Sequence, residues 1–323
     1  MGRSLLPFNR GRAEPKGNSP PSKRARPRIT VEPALRKPIP APLAPGLYLV
    51  ATPIGAARDI TLRALDTLAA ADVLAAEDTR TLRHLMEIHG IALGDRPLVA
   101  YHDHNGAQIR PRLLRDLAQG RSIAYASEAG TPLVADPGYQ LARAAIAEGH
   151  PVHAVPGASA VLAALTVAGL PTDRFLFAGF LPPQTAARRK ALEDLSAVPA
   201  TLVFYESPRR VGETLGDMVS ILGSLRGAAV CRELTKRFEE TRRGTLADLA
   251  DHFATQDPRG EVVILVDRAG PAVADPAAVT AALQAALGRL RVREASVEVA
   301  DRFGLPRRAV YQQALTLVDR TDD

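Results

Sequence analysis

From residue 46 onward, short apolar runs alternate with amphipathic stretches. Residues 47–51, 72–76, 98–101, 122–126 and 152–155 are short and mostly apolar, and each reads as a buried strand. Between the first two, Leu62, Leu65, Leu68 and Ala69 fall at helical spacing behind Thr61 as a cap. Further helices are predicted up to about residue 88, up to about 119, and over 138–148. For the last of these, Asp136 is the predicted N-cap, Pro137 the first helical residue and Gly149 the stop. Strands alternating with helices of about 10–15 residues predict a mostly parallel sheet with helices on its faces.

The pattern changes after Pro156 and Gly157. Residues 158–168 read as a small apolar helix, 175–178 as a strand and 185–195 as a basic amphipathic helix. Residues 201–205 read as a strand ending in Glu206, with Ser207 capping a helix begun by Pro208. Residues 228–233, 238–245 and 261–267 read as strands, with a helix over 246–253. This strand-heavy half predicts a second α/β domain with a mixed sheet. From residue 271 the pattern is helical: Asp275 and Pro276 open one helix, 295–302 is a second, and Pro306 opens a third after a turn at Gly304 and Leu305. Two helices around such a turn resemble a helix-turn-helix. The expected organisation is an arm over 1–45, α/β domains over 46–156 and 157–270, and a helical module over 271–323.

A length of 323 residues suits about two such domains. The net charge of +6 conceals an asymmetry. Residues 1–45 hold ten basic and two acidic residues, so the arm carries +8 and the rest of the chain −2. The arm is rich in Pro and Arg, lacks periodicity and is expected to be disordered, as a polyanion-binding tail or a solvated one. Residues 289–323 net only +1, so helical packing and RNA binding weigh equally there. Tryptophan is absent and aromatics make up 4%, which argues against stacking several bases as single-strand binders do. Cys231 is the only cysteine, so no intrachain disulfide forms, and its apolar surroundings predict a buried strand residue. No secretory pattern is evident, so a cytoplasmic location is expected. The longest apolar run, 152–170, is broken by Pro156 and Gly157, and no membrane association is expected.

The sequence lacks G-x-G-x-x-G, Walker A, H-E-x-x-H and C-x-x-C patterns, which removes the usual support for nicotinamide, P-loop and zinc chemistry. His102 and His104 share a strand face but have no evident third ligand, so no metal is expected. Ser127 and Glu128 have no obvious histidine partner for a hydrolytic triad. What remains is a set of loops at strand ends: 52–56, 77–80, 102–105, 127–136, 156–160, 205–209 and 233–236. Open α/β sheets bind ligands outside the carboxyl ends of their strands. Small residues there let backbone approach a ligand, and acidic ones meet a cationic ligand.

Ten motifs in those loops occur in a specific order. They are Thr-Pro-Ile-Gly (52–55), Ala-Glu-Asp-Thr-Arg (76–80), His-Asp-His-Asn (102–105), Ala-Gly-Thr-Pro (129–132) and Asp-Pro-Gly (136–138), then Val-Pro-Gly (155–157), Gly-Leu-Pro-Thr-Asp-Arg-Phe (169–175), Gly-Phe-Leu-Pro (179–182), Phe-Tyr-Glu-Ser-Pro (204–208) and Arg-Glu-Leu-Thr-Lys (232–236). Together they resemble the bacterial 16S ribosomal RNA cytidine 2′-O-methyltransferases of the tetrapyrrole methylase superfamily. The resemblance implies two α/β domains with S-adenosylmethionine in the cleft between them, a helical C-terminal module and a homodimer. It implies methylation of the ribose of a cytidine in the decoding region of 16S rRNA, in the small ribosomal subunit. By position, Pro53, Thr131, Val134, Ser159, Ala160 and Tyr205 would line the cofactor, and Gly130 would let backbone pass close to it. Two positions depart from the family pattern: Glu128 stands for the usual Asp and Ala56 for the usual Asn.

A ribose 2′-hydroxyl is a poor nucleophile until its proton leaves, so a carboxylate or histidine is expected near it. Asp103, His104, Glu77 and Asp78 are the candidates, with the 102–105 loop favoured and Glu206, Glu233 and Lys236 behind them. Arg80, Arg209 and Lys236 are the expected phosphate contacts. The competing readings are a methylase of a tetrapyrrole or corrin precursor and a non-catalytic ribosome-binding relative.

Overall fold

The computed structural model describes residues 41–319, apart from 135, 137, 257, 270–275 and 304. Most of the predicted arm, the predicted helix starts at Pro137 and Asp275, and the turn glycine Gly304 lie outside the described residues.

The first sheet is parallel throughout. Its chain order is β1 (Gly46–Val50), α1 (Leu62–Ala70), β2 (Val73–Ala76), α2 (Thr79–Ile88), β3 (Leu98–Ala100), α3 (Gly106–Ala118), β4 (Ser122–Ala126), α4 (Tyr139–Ala147) and β5 (Val152–Val155). Its spatial order is β3-β2-β4-β1-β5. Connections run one way along the sheet from β1 to β3 and the other way from β3 to β5. Right-handed crossovers therefore place α1 and α2 on one face and α3 and α4 on the other. The core follows this division. Ala64, Leu68, Leu82 and Met86 pack on Val50, Leu74 and Ala124. Leu113, Leu117 and Leu141 pack on Leu47, Val73 and Ile123 from the opposite side. The winding reverses between β1 and β4, which opens a crevice at their carboxyl ends.

The second sheet is mixed. It follows α5 (Ala160–Ala168) and contains β6 (Phe175–Phe180), α6 (Thr185–Leu195), β7 (Thr201–Glu206), α7 (Val211–Leu222), β8 (Gly227–Arg232), β9 (Glu240–Thr245), α8 (Leu246–Phe253) and β10 (Val262–Val266). Its order is β6-β7-β10-β8-β9. Strands β6 and β7 are parallel, and the remaining pairs are antiparallel. Leu192, Leu215, Met218 and Leu249 of α6, α7 and α8 cover one face. The other face, with Val203, Cys231 and Val263, packs on Val161 and Leu165 of α5. Ile54 from the loop after β1 and Leu234 from the loop after β8 join this second cluster, so loops of both sheets share apolar packing. Under α6, Arg188 is almost fully buried and its Nε donates to Asp217 Oδ2 on α7 at 2.6 Å.

The last three helices are α9 (Pro276–Leu287), α10 (Val292–Phe303) and α11 (Arg307–Asp319). They enclose a core of their own around Leu283, Val299, Val310 and Ala314. No helix among the described residues is long and apolar enough to cross a membrane.

Two predicted caps differ in detail. Helix α4 begins one residue later than predicted, with Gly138 at its N-cap, and Asp136 Oδ1 accepts from Gly138 N at 2.7 Å. Residues Pro208–Arg210 form a short 3-10 turn before α7, and the Ser207 side chain makes no capping bond. The Ser207 amide instead donates to Glu206 Oε1 at 2.7 Å.

Candidate active site

The loops flanking the winding reversal are tied together. Thr52 and Gly130 exchange two backbone hydrogen bonds, at 3.0 and 3.1 Å. Gly130 has φ +81°, and a Cβ there would lie 3.2 Å from Ile54 Cγ2, so both conformation and close approach call for glycine. The Ser127 hydroxyl donates to Gly130 O at 2.7 Å and folds the loop on itself. The Thr131 hydroxyl donates to Ala158 O at 2.8 Å, which joins this loop to the turn before α5.

These loops form one wall of a cleft of about 450 Å³. Glu77, residues 128–131, Val134 and Asp136 come from the first sheet. Ser159, Ala160, Phe180, residues 205–208 and residues 260–263 form the facing wall. Of the residues expected at a cofactor, Gly130, Thr131, Val134, Ser159, Ala160 and Tyr205 lie in the lining. Pro53 does not; its neighbour Ile54 does.

The residues expected to take a proton separate sharply. Glu77 is in the wall, half-buried, and its proton affinity is raised by burial first and then by the charges of Asp136, Glu128 and Asp103. Asp78 sits outside the lining as the N-cap of α2. It accepts from Arg80 N at 2.7 Å and from the Arg80 guanidinium at 2.9 and 3.2 Å. These bonds hold its carboxyl at about 2, below the ordinary carboxylate range. Asp103 and His104 are exposed and outside the lining. Their loop is pinned by Asn105, whose side chain accepts from His102 N and donates to Ala100 O. The physical reason is the strand order: β3 is the edge strand, and β2 separates it from β4 at the crevice. Among the described residues, no group of three or more His, Cys, Asp or Glu is arranged to hold a metal.

Glu206 reaches the wall, but its buried carboxylate is consumed by Thr214, Arg210 and the Ser207 amide. Lys236 pairs with Glu233 at 2.9 Å and Glu261 at 3.0 Å. Arg80 is exposed apart from its bond to Asp78, and Arg209 is exposed beside the cleft-lining Pro208.

One functional candidate is absent from the sequence-based set. Asp136 Oδ1 accepts from the Tyr125 hydroxyl at 2.8 Å and from Gly138 N at 2.7 Å. Its Oδ2 is buried and has no hydrogen-bond partner among the described residues. Burial, with the Asp136 charge next, pushes the Tyr125 hydroxyl far above its ordinary range, so it stays a donor. A Cβ on Gly138 would lie 2.3 Å from Tyr125 Cε1, so glycine is required for this arrangement. The carboxylate is oriented through one oxygen, and the other is buried without a hydrogen-bond partner among the described residues. The sequence signal was the carboxylate of Asp-Pro-Gly, which a helix start explains equally well.

The two walls are latched where the loop after β1 meets the loop after β8. The Ala56 amide donates to Thr235 Oγ1 at 3.1 Å. Glu233 and Thr235 take left-handed φ values of 50° and 64°, a strain the contact sustains. The Ala56 departure from the family pattern therefore lies at this latch, whereas the Glu128 departure lies in the wall. A Cβ on Gly55 would stand 2.6 Å from both Lys236 Cγ and Thr235 Oγ1. Gly55→Ala is expected to spread the walls and weaken binding in the cleft about 5–150-fold, the effect of an overpacking of about 1–3 kcal/mol. Titration calorimetry checks this, and unchanged affinity contradicts the latch.

Residues 46–250 match the family of tetrapyrrole (corrin/porphyrin) methylases, and residues 273–318 match the RsmI C-terminal HTH domain. The ribosomal RNA small subunit methyltransferase I of Mesorhizobium japonicum is 52% identical over 287 residues, covering 88% of this chain and 97% of that one. Its namesake from Escherichia coli O157:H7 is 41% identical over 272 residues, covering 83% and 94%. Among solved structures, a cobalt precorrin-4 methyltransferase of cobalamin biosynthesis superposes with a TM-score of 0.53 at 19% identity, covering 68% of this chain and 94% of that one. Diphthine synthase superposes with a TM-score of 0.54 at 15% identity, covering 68% and 89%. These two likenesses establish the fold. The doubly wound first sheet, the mixed second sheet, the helical module and the match along both regions agree: the chain belongs to the tetrapyrrole methylases, within the ribosomal RNA small subunit methyltransferase I family.

Proposed function

We propose that the chain transfers a methyl group from S-adenosylmethionine to the ribose 2′-oxygen of a cytidine in 16S rRNA of the small ribosomal subunit, acting as a homodimer. The observation that carries the chemical reading is Asp136, a cleft-lining residue fixed through Oδ1, with a buried Oδ2 that has no hydrogen-bond partner among the described residues. The same feature, with the close backbone approach at Gly130 and the acidic edge, suits a cationic ligand with polar groups. S-adenosylmethionine, when bound, supplies a methyl group already activated on a sulfonium.

The protein has three tasks. Gly130, Thr131, Val134, Ser159, Ala160 and Tyr205 bind and orient the cofactor. Alignment of the ribose oxygen with the methyl group then supplies much of the rate. Asp136 Oδ2 takes the proton of the 2′-hydroxyl, while Tyr125 and the Gly138 amide hold the carboxylate in place. Glu77 and Glu128 supply negative charge, which favours the cationic cofactor over its uncharged product. Arg80, Arg209 and Lys236 are the proposed phosphate contacts.

Glu77 gives this account a pH signature. A raised carboxyl favours its protonated form, so ionised Glu77 is a cost to the folded protein that grows as pH rises through its folded pKa. A bound cation relieves that cost and pulls the pKa back down. Cofactor binding in mildly acidic buffer is therefore expected to release protons, read by calorimetry in buffers of different ionisation enthalpy. Glu77→Gln is expected to abolish most of that release and weaken binding. Unchanged proton release in Glu77→Gln contradicts the assignment. Label from the cofactor entering a tetrapyrrole pigment rather than RNA would transfer the function to the other branch of the fold.

A further inference from the structure

We propose that Phe180 is the platform on which the base of the target nucleotide stacks while its ribose enters the cleft. This rests on the reading of the substrate as RNA.

The backbone around Phe180 is built to turn this ring into the cleft. Pairing of β6 with β7 is regular from Phe175 to Phe177, opposite Thr201 to Val203. It then shifts, so that Gly179 faces Phe204 and Phe180 faces Tyr205, with Ala178 as the extra residue of a bulge. Leu176 and Ala178 pack toward the core under α6 and α7. Strict alternation would send Phe180 to that same side. The bulge reverses the parity, and Phe180 instead meets the Tyr205 ring, which belongs to the opposite face together with Phe177. Gly179 has φ +67°, and no atom lies within 4 Å of where its Cβ would be. Glycine is therefore needed there for backbone conformation and not for space.

The ring so placed is solvent-facing. Phe180 remains 59% exposed although it lines the cleft, and its edge contact with Tyr205, centroids 5.6 Å apart, steadies it. A large apolar ring held at a cleft mouth gains from a flat partner arriving from outside. Nucleobases are such partners, and stacking on an aromatic side chain tolerates any base. Arg209, exposed and next in sequence to the lining residue Pro208, adds a cation near this wall, suited to a phosphate of the same strand. A strand entering here would meet a ring for its base and a charge for its backbone.

The test compares Phe180→Leu, which keeps apolar bulk but loses the π-face, with Phe180→Tyr, which keeps the face. The substrate is small ribosomal subunits lacking the modification, with the full-length chain. Phe180→Leu is expected to raise KM for the subunits about 5–150-fold, the range of one lost base–aromatic stack. Its affinity for S-adenosylmethionine by calorimetry is expected to stay within about twofold, and Phe180→Tyr to restore KM. Gly179→Ala, which strains the bulge but keeps the ring, is expected to reproduce the Phe180→Leu effect. Unchanged KM in Phe180→Leu overturns the proposal. So does a parallel loss of cofactor affinity, which would assign the ring to the adenine of the cofactor. A rise in KM that accompanies a change of oligomeric state in sedimentation would assign it to an interface between copies, and also overturns it. Failure of the unaltered chain to label the subunits would instead overturn the RNA reading itself.

Discussion

Asp136→Asn is expected to lower turnover about 10²–10⁴-fold, the usual contribution of a positioned general base. The substitution keeps the side-chain oxygen that accepts from Tyr125 and Gly138 N, at 2.8 and 2.7 Å, so the loop geometry is retained. What changes is the second position, where an acceptor without a partner among the described residues becomes an amide donor that cannot take a proton. Cofactor affinity is expected to fall only modestly, through the loss of one negative charge. The expected signature is a fall in kcat with little change in KM for the RNA, which marks an interaction made in the transition state. Asp103→Ala, in a loop outside the cleft lining, is expected to act only through its charge on Glu77, with a far smaller effect. Single-turnover methyl transfer with both variants measures the contrast. Equal losses would return the 102–105 loop to the chemistry.

The second large effect is on stability. Asp217→Ala is expected to cost about 3–5 kcal/mol, because it leaves a buried guanidinium uncompensated. The side chain of Arg188 is 2% exposed and that of Asp217 6%. Asp217 Oδ2 accepts from Arg188 Nε, and its Oδ1 accepts from Arg189 Nε, both at 2.6 Å. Burial works to raise the Asp217 carboxyl, and the bonds from Arg189 and Arg188 outweigh it, so the carboxyl stays below its ordinary value. Its contribution is therefore present above the ordinary carboxylate range and is lost as pH falls through the lowered folded value. Glu213 stands 3.6 Å from Arg188 but is 70% exposed, too well solvated to take over. Replacing both partners, as Arg188→Met with Asp217→Leu, is expected to recover most of the loss. Denaturant midpoints with an unchanged slope report it. A loss in Asp217→Ala below about 1 kcal/mol, the value of a surface pair, would contradict a buried ion pair under α6.

Much of this molecule is legible in its hydrophobic pattern, because strands buried on both faces produce continuous apolar runs. Residues 122–126, 185–195 and 246–253 are elements with the predicted bounds. The misses have local causes. Strand β6 continues to Phe180, two residues past the predicted end, since the bulge at Ala178 and Gly179 breaks the period-two signal without ending the pairing. Strand β9 starts at Glu240 and not at 238, because the preceding turn uses Glu239 as an acceptor for the Thr235 amide.

The candidate site was legible as a set of loops but not as a ranking among them. Sequence order places 102–105 at a strand end like the others, and only the spatial order puts its strand at the sheet edge. Strands are spaced about 4.8 Å apart, so that edge lies about 10 Å from the crevice strand β4. Asp136 carries a helix-start signature that hides the second role proposed for it, since capping accounts for one carboxylate oxygen and says nothing of the other. Pro53 and Ile54 show the same limit at a smaller scale: a motif fixes the loop, and the backbone decides which residue faces the cleft.

The most direct measurement is methyl transfer from labelled S-adenosylmethionine to small ribosomal subunits lacking the modification, with the labelled nucleotide mapped by alkaline hydrolysis. A 2′-O-methyl group removes the internal nucleophile, so the phosphate that follows it resists alkali. The account predicts label at a single alkali-resistant cytidine of 16S rRNA with the unaltered chain, and a rate reduced about 10²–10⁴-fold with Asp136→Asn. Label in an alkali-sensitive nucleotide, or undiminished transfer by Asp136→Asn, would contradict it.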